Sequence, residues 1–253
     1  MARREIFSGN WKMYKTYNEA VDLVNGIKKG ITDTGSREVV VFPPAVYLRE
    51  IVALCKGTKI DVGIQNIYFE KEGAFTGEIS PVMAKDAGVR YALIGHSERR
   101  HVFHETDEEI NKKVKAAFEA GLEPVLCVGE LLEEREAGNP EDVVNRQVEL
   151  GLKDIGSDLI NKLIIAYEPV WAIGTGKVAT PEIADTMHQA IRQKISKLYS
   201  NEIADNLAIL YGGSVKPDNI ADLYAMDNID GVLVGGASLK INSFLDIINV
   251  NIN

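Results

Sequence analysis

Eight short apolar runs, recurring about every 32 residues, constrain this sequence more than any other feature. They are Ile6-Phe7, Val39 to Phe42, Ile60 to Ile64, Tyr91 to Ile94, Pro124 to Val128, Leu163 to Tyr167, Leu207 to Leu210 and Val232 to Val234. Each is rich in β-branched or aromatic residues and is followed by Gly, Pro, Asn or another polar residue. A parallel strand buried on both faces reads as such a run, because neither face can tolerate a polar side chain. Between the runs lie helical stripes: Ala20, Leu23, Val24, Ile27; then Ile110, Val114, Ala117, Phe118; then Ile183, Met187, Ile191, Ile195, Leu198. Thr106 and Glu109 have capping-box spacing, and Thr180-Pro181 and Ser80-Pro81 each place an N-cap before a proline. Eight βα units in 253 residues predict an α/β chain folded as one (β/α)8 barrel domain over residues 1–253. No linker or shift of composition divides it. An open doubly wound sheet is the rival, and the Gly-x-Gly-x-x-Gly that would follow its first strand is absent.

Charge and cysteine content narrow the function. Asp plus Glu number 37 against 28 Lys plus Arg, a formal charge of −9. So acidic a surface argues against nucleic-acid binding, and any anionic ligand must be held by local features against a repulsive global field. The two cysteines, Cys55 and Cys127, fit no metal spacing and read as reduced core thiols. The N-terminus carries no apolar stretch of signal-peptide length, and no run has the length of a membrane span. A cytoplasmic protein without membrane association is expected.

In a (β/α)8 barrel the chemistry collects at the C-terminal ends of the strands. Strand one leads into Gly9-Asn10-Trp11-Lys12, strand four into Gly95-His96-Ser97-Glu98, and strand six into Glu168-Pro169. Strands seven and eight lead into Gly212-Gly213-Ser214 and Gly235-Gly236. Singly, Lys12 reads as a solvated lysine, His96 as a structural histidine and Glu168 as a helix cap or ion-pair partner. Together they share one mouth of the barrel, where coincidence is a poor account of them. The glycine turns would let backbone N–H groups approach an anion, at the place where such barrels hold phosphate. Gly174-Thr175-Gly176-Lys177, with Trp171, Ala172 and Ile173 before it and prolines 169 and 181 flanking, reads as a lid that closes and excludes water.

The motifs Asn10-Trp11-Lys12, Gly95 to Arg100, Ala166 to Gly176, Tyr211 to Ser214 and Gly231 to Gly236 resemble the triosephosphate isomerase family in order and over the full chain. The resemblance implies cofactor-independent interconversion of dihydroxyacetone phosphate and glyceraldehyde 3-phosphate through an enediol(ate), in glycolysis and gluconeogenesis, with no metal. It makes Glu168 the base, His96 the electrophile at the carbonyl oxygen, and Lys12 the positive charge near that oxygen and the phosphate. Asn10 contacts the substrate, while Gly174, Ser214, Gly235 and Gly236 supply phosphate contacts. Ser97, Glu98 and Arg100 support these groups, and Ile173 and Leu233 press on the carboxylate. Desolvation under the lid is expected to raise the basicity of Glu168; the resemblance implies a carboxylate base working with a neutral histidine and a closing loop.

The segment 65–78 is long for a βα loop and rich in aromatic residues. The resemblance implies a homodimer in which this loop enters the neighbouring subunit, with Thr76 near the partner's site and Glu78 facing Arg99. Other readings differ in chemistry. Another phosphate-binding barrel isomerase or epimerase would keep the glycine turns. A Schiff-base aldolase would want lysine where Glu168 stands. A metal-dependent epimerase would want several ligands, yet of His96, His101, His104 and His188 only His96 follows a strand. A barrel kept only as a scaffold would have no reason to retain every catalytic residue type.

Overall fold

The computed structural model describes residues 3–32, 34–173 and 177–251. Eight parallel strands, β1 (Ile6–Asn10), β2 (Glu38–Phe42), β3 (Ile60–Ile64), β4 (Tyr91–Ile94), β5 (Glu123–Val128), β6 (Ile164–Tyr167), β7 (Ala208–Tyr211) and β8 (Gly231–Val234), pair in sequence order and close β8 onto β1. All eight apolar runs are strands, so the (β/α)8 barrel is the fold. The largest boundary difference is in β1, which continues to Asn10 because Ser8 and Gly9 keep pairing with β2 and β8. Asn10 is thus the last strand residue and not a loop residue.

Side chains alternate between two cores, as the period of a strand requires. Val40 and Phe42 of β2 point into the barrel with Leu93, Cys127, Leu210 and Leu233. Val39 and Val41 point outward to the helical layer with Val24, Ile27 and Ile51. Both faces are therefore buried, which is why the strands read as unbroken apolar runs.

The helices begin where their caps predict. In helix Asp107–Glu119 the Glu109 carboxylate accepts the Thr106 N–H at 2.9 Å, and the Thr106 hydroxyl accepts the Glu109 N–H at 3.2 Å. Helices Pro81–Asp86 and Pro181–Leu198 start behind Ser80 and Thr180, whose hydroxyls accept from Met83 and Ile183. The stripe of the last helix ends a turn early: Ile195 is buried, but Leu198 is 37% exposed. Cys55 and Cys127 are both free thiols and buried, and burial pushes both thiol pKa values up, Cys55 to about 11. Among the described residues no helix is long and apolar enough to cross a membrane.

Candidate active site

The C-terminal mouth of the barrel holds a cavity of about 880 Å³. Asn10, Lys12, His96, Glu168, Ser214, Gly235 and Gly236 all line it, with Ile173 and Leu233. Of the residues singled out in the sequence, Gly174 lies outside the described residues, as do Thr175 and Gly176 of the segment read there as a lid.

Glu168 follows β6 directly and is 2% exposed. Its Oε1 lies 3.0 Å from His96 Nε2, and its Oε2 accepts the Ser97 N–H at 2.9 Å. Two glycines make this seat. A β-carbon on Gly212 would stand 2.8 Å from Glu168 Cγ, and one on Gly129 would stand 1.8 Å from the Glu168 carbonyl oxygen. Gln147 fixes Gly129 from behind, donating to its carbonyl at 3.1 Å and accepting its N–H at 2.8 Å.

His96 caps the short helix Ser97–His101, and its Nδ1 accepts the Glu98 N–H at 3.2 Å. That contact uses the Nδ1 lone pair and places the ring proton on Nε2, facing Glu168. Burial opposes charge on His96, but the Glu168 carboxylate outweighs it and draws the pKa above its ordinary value. Burial likewise pushes Glu168 up, but His96, the Ser97 N–H and Lys12 together hold it below the usual carboxylate range. Desolvation of the carboxylate is therefore present, yet in this conformation the net direction is downward. The carboxylate rests against hydrogen-bond donors that favour its charged form.

Lys12 has a left-handed backbone, φ 51°, which a non-glycine residue adopts at a cost. Neighbours hold it there: its N–H donates to Asn10 Oδ1 at 3.0 Å, and Gln65 donates to its carbonyl at 2.8 Å. The ammonium donates to Glu98 Oε1 at 2.6 Å. A single ion pair thus aims Lys12 across the mouth.

The turn after β8 is open backbone. A β-carbon on Gly236 would meet nothing within 4 Å, and one on Gly235 would meet only Lys12 Cε at 3.6 Å. Both glycines face space, with the Lys12 stem alongside, as a bound anion would need.

Some supporting residues carry no sequence signal. Glu130, fully buried, accepts from Tyr167 at 3.1 Å, from Arg135 at 3.1 Å and from the Trp171 indole at 2.8 Å. It thereby ties the 3-10 turn Val170–Ala172 to the end of β6. His188 stands edge-on to Tyr167, with ring centroids 5.8 Å apart, and burial pulls its pKa down to about 4. Arg100, expected to support the site, reaches back to the Gly95 carbonyl at 2.8 Å and the Cys127 carbonyl at 3.0 Å.

Known proteins match this chain over nearly its whole length. The triosephosphate isomerase family model matches residues 5–251. The chain is 51% identical over 251 residues to the triosephosphate isomerase of Lactiplantibacillus plantarum, covering 99% of this chain and 100% of that protein. It is 53% identical over 247 residues to that of Roseiflexus sp. (98% and 97% covered) and 52% identical over 250 residues to that of Carboxydothermus hydrogenoformans (99% and 100%).

Proposed function

The chain belongs to the triosephosphate isomerase family, and from that premise we propose how its residues divide the work of interconverting dihydroxyacetone phosphate and D-glyceraldehyde 3-phosphate. Glu168 takes the proton from carbon one of the ketose and returns it to carbon two. The electron pair of the broken C–H bond passes to the carbonyl oxygen, giving an enediol(ate). His96 Nε2–H and the Lys12 ammonium donate to the oxygens where negative charge develops. Asn10 contacts the substrate, and the N–H groups of Gly174, Ser214, Gly235 and Gly236 hold the phosphate. One observation carries this reading: the 3.0 Å approach of Glu168 Oε1 to His96 Nε2 in a cavity that Lys12 and the glycine turns also line.

The resting contacts of Glu168 set a requirement. A carboxylate held below its usual pKa is a weak base. We infer that substrate and lid displace it from the Ser97 N–H, leaving burial, with Ile173 and Leu233 beside it, to raise its basicity. Closure also protects the enediolate from loss of phosphate to water. Glu168→Asp, which withdraws the carboxylate by one methylene, is expected to slow turnover on the order of 10²-fold in a coupled isomerase assay. Turnover at the wild-type rate would remove Glu168 from the role of base.

We further propose that residues 1–253 act as one barrel domain that pairs as a homodimer through the segment 65–78. Tyr68 stacks on Phe69 at 4.1 Å and leans on Phe75 at 4.7 Å, which stiffens the segment from its half-buried base at 65–69 into the exposed part at 70–78. Met13 is 95% exposed, and Val46, Val102 and Phe103 also present large apolar surface. Arg99 already holds Glu105 within the chain at 2.6 Å, so a Glu78 contact across subunits would share it. A monomeric mass at micromolar concentration with full activity would overturn the dimer. Reduced, buried cysteines accord with the reducing cytoplasm, where we place the enzyme.

A further inference from the structure

The cavity at the barrel mouth is larger than a three-carbon phosphate requires. Past the phosphate seat it continues between the segment after β7 and the start of helix Ile241–Ile248. This outer lobe is lined by Lys216, Pro217, Asp218, Leu239, Lys240 and Ser243. Neither Lys216 nor Lys240 has an acidic partner within ion-pair distance among the described residues. Their counterpart Lys12 is neutralised by Glu98. In a chain of net charge −9, two exposed lysines without such a partner on the wall of one cavity are a local reversal of the field. Asp218 shares the lobe and leaves it singly positive.

The spacing is set by the fold. Residues Gly236–Leu239 form one turn of 3-10 helix, rising about 2 Å per residue, so Lys240 begins about 8 Å beyond the glycine seat. Lys216 lies two residues beyond Ser214 in the other wall. We propose that this lobe is a second anion subsite, and that the enzyme binds short bisphosphorylated compounds with one phosphate on the glycine seat and the other between Lys216 and Lys240. This rests on the phosphate seat proposed above. The carbon chain of such a ligand runs outward, away from Glu168, so it is not isomerised. It occupies the seat that the substrate phosphate needs, and it acts as a competitive inhibitor.

The test compares two inhibitors of the isomerase at low ionic strength, glycerol 1-phosphate and propane-1,3-diol bisphosphate. The bisphosphate is expected to compete about tenfold more tightly, beyond the twofold that two equivalent ends provide. The gap should narrow with added salt. The double variant Lys216→Met/Lys240→Met should keep its isomerase rate and its affinity for glycerol 1-phosphate, and lose the extra affinity for the bisphosphate. Equal inhibition by both compounds in the wild type, or an advantage that survives in the double variant, overturns the outer subsite and leaves the seat intact. Failure of glycerol 1-phosphate itself to compete overturns both.

Discussion

The two ends of the barrel treat charge in opposite ways. At the floor, where the strands begin, Glu38 accepts from Arg4 at 2.7 Å, from Arg90 at 2.9 Å and from the Tyr91 hydroxyl at 2.6 Å. Arg90 also donates to Asp61 at 2.8 Å and to Glu123 at 2.7 Å. Arg4, Glu38, Arg90 and Glu123 each have at least two partners of opposite sign. At the mouth, Glu168 has two donors and Lys12 one acceptor, and both border an 880 Å³ cavity. A network closed on itself contributes stability and has nothing to offer a ligand. A site left partly unsatisfied can bind one, and its members are exchangeable without unfolding the chain. Substitutions at the mouth should therefore change rate with little change of stability, and substitutions at the floor the reverse.

The sharpest break of that contrast is at Glu168. Glu168→Gln keeps the shape of the side chain and removes the base, so kcat/KM should fall by about 10⁴-fold, the upper range for a general base. The amide oxygen still accepts from one of the two donors, so Tm should move by only a few degrees. A large loss of Tm with a modest loss of rate would place Glu168 among the structural residues.

The floor gives the complementary case. Glu38→Gln leaves three donors facing one amide oxygen and should cost about 2 kcal/mol of stability, with kcat and KM unchanged. The acid limb of stability should change with it. Burial pushes the Glu38 pKa up, but hydrogen bonds from Arg4 and Tyr91 and the charges of Arg4 and Arg90 hold it below the usual range. A carboxyl depressed in the folded state stabilises above its unfolded pKa, about 4.3. That stability is lost as pH falls through the lower folded value. The wild-type Tm should therefore drop below about pH 4 more steeply than that of Glu38→Gln. Parallel acid limbs would show that the network contributes no linked stability.

The contrast also explains what the sequence disclosed. The strands were legible because burial on both faces leaves an unbroken apolar run, as in Val39 to Phe42. Helix starts were legible where side chains do the capping, as at Thr106 and Thr180. At the mouth, Asn10, Lys12, His96, Glu168 and the glycine turns stood out because each lies at or just beyond a strand end. Glu130 and Gln147 did not, because they act through contacts with Trp171 and Gly129 that are distant in sequence or indistinct in type. The floor network was invisible for a related reason. Arg4, Glu38, Arg90 and Glu123 are ordinary charges at strand beginnings until closure of the barrel brings them together. The resting direction of the Glu168 pKa was not legible, because burial alone suggests a rise. The opposing pull comes from His96 and the Ser97 N–H, whose approach to Glu168 only the fold defines.

Gly212 offers the finest division between rate and stability. It sits where β7 ends, and its N–H donates to the Tyr167 carbonyl at 2.7 Å, one residue before the base. A methyl group there would stand 2.8 Å from Glu168 Cγ and 3.2 Å from the Tyr167 carbonyl oxygen. Real β-carbons do not approach so closely, so something must give by several tenths of an ångström. The backbone is held by the β6–β7 pairing, Tyr167 with Tyr211, whereas the Glu168 side chain can rotate toward the cavity. Gly212→Ala should therefore displace the carboxylate and leave the barrel standing. Misplacement by a fraction of an ångström predicts a loss of about tenfold in kcat, with little change in KM and in Tm. If Gly212→Ala instead lowers Tm and spares kcat, the strain falls on the strand pair, and the glycine serves the barrel and not the base.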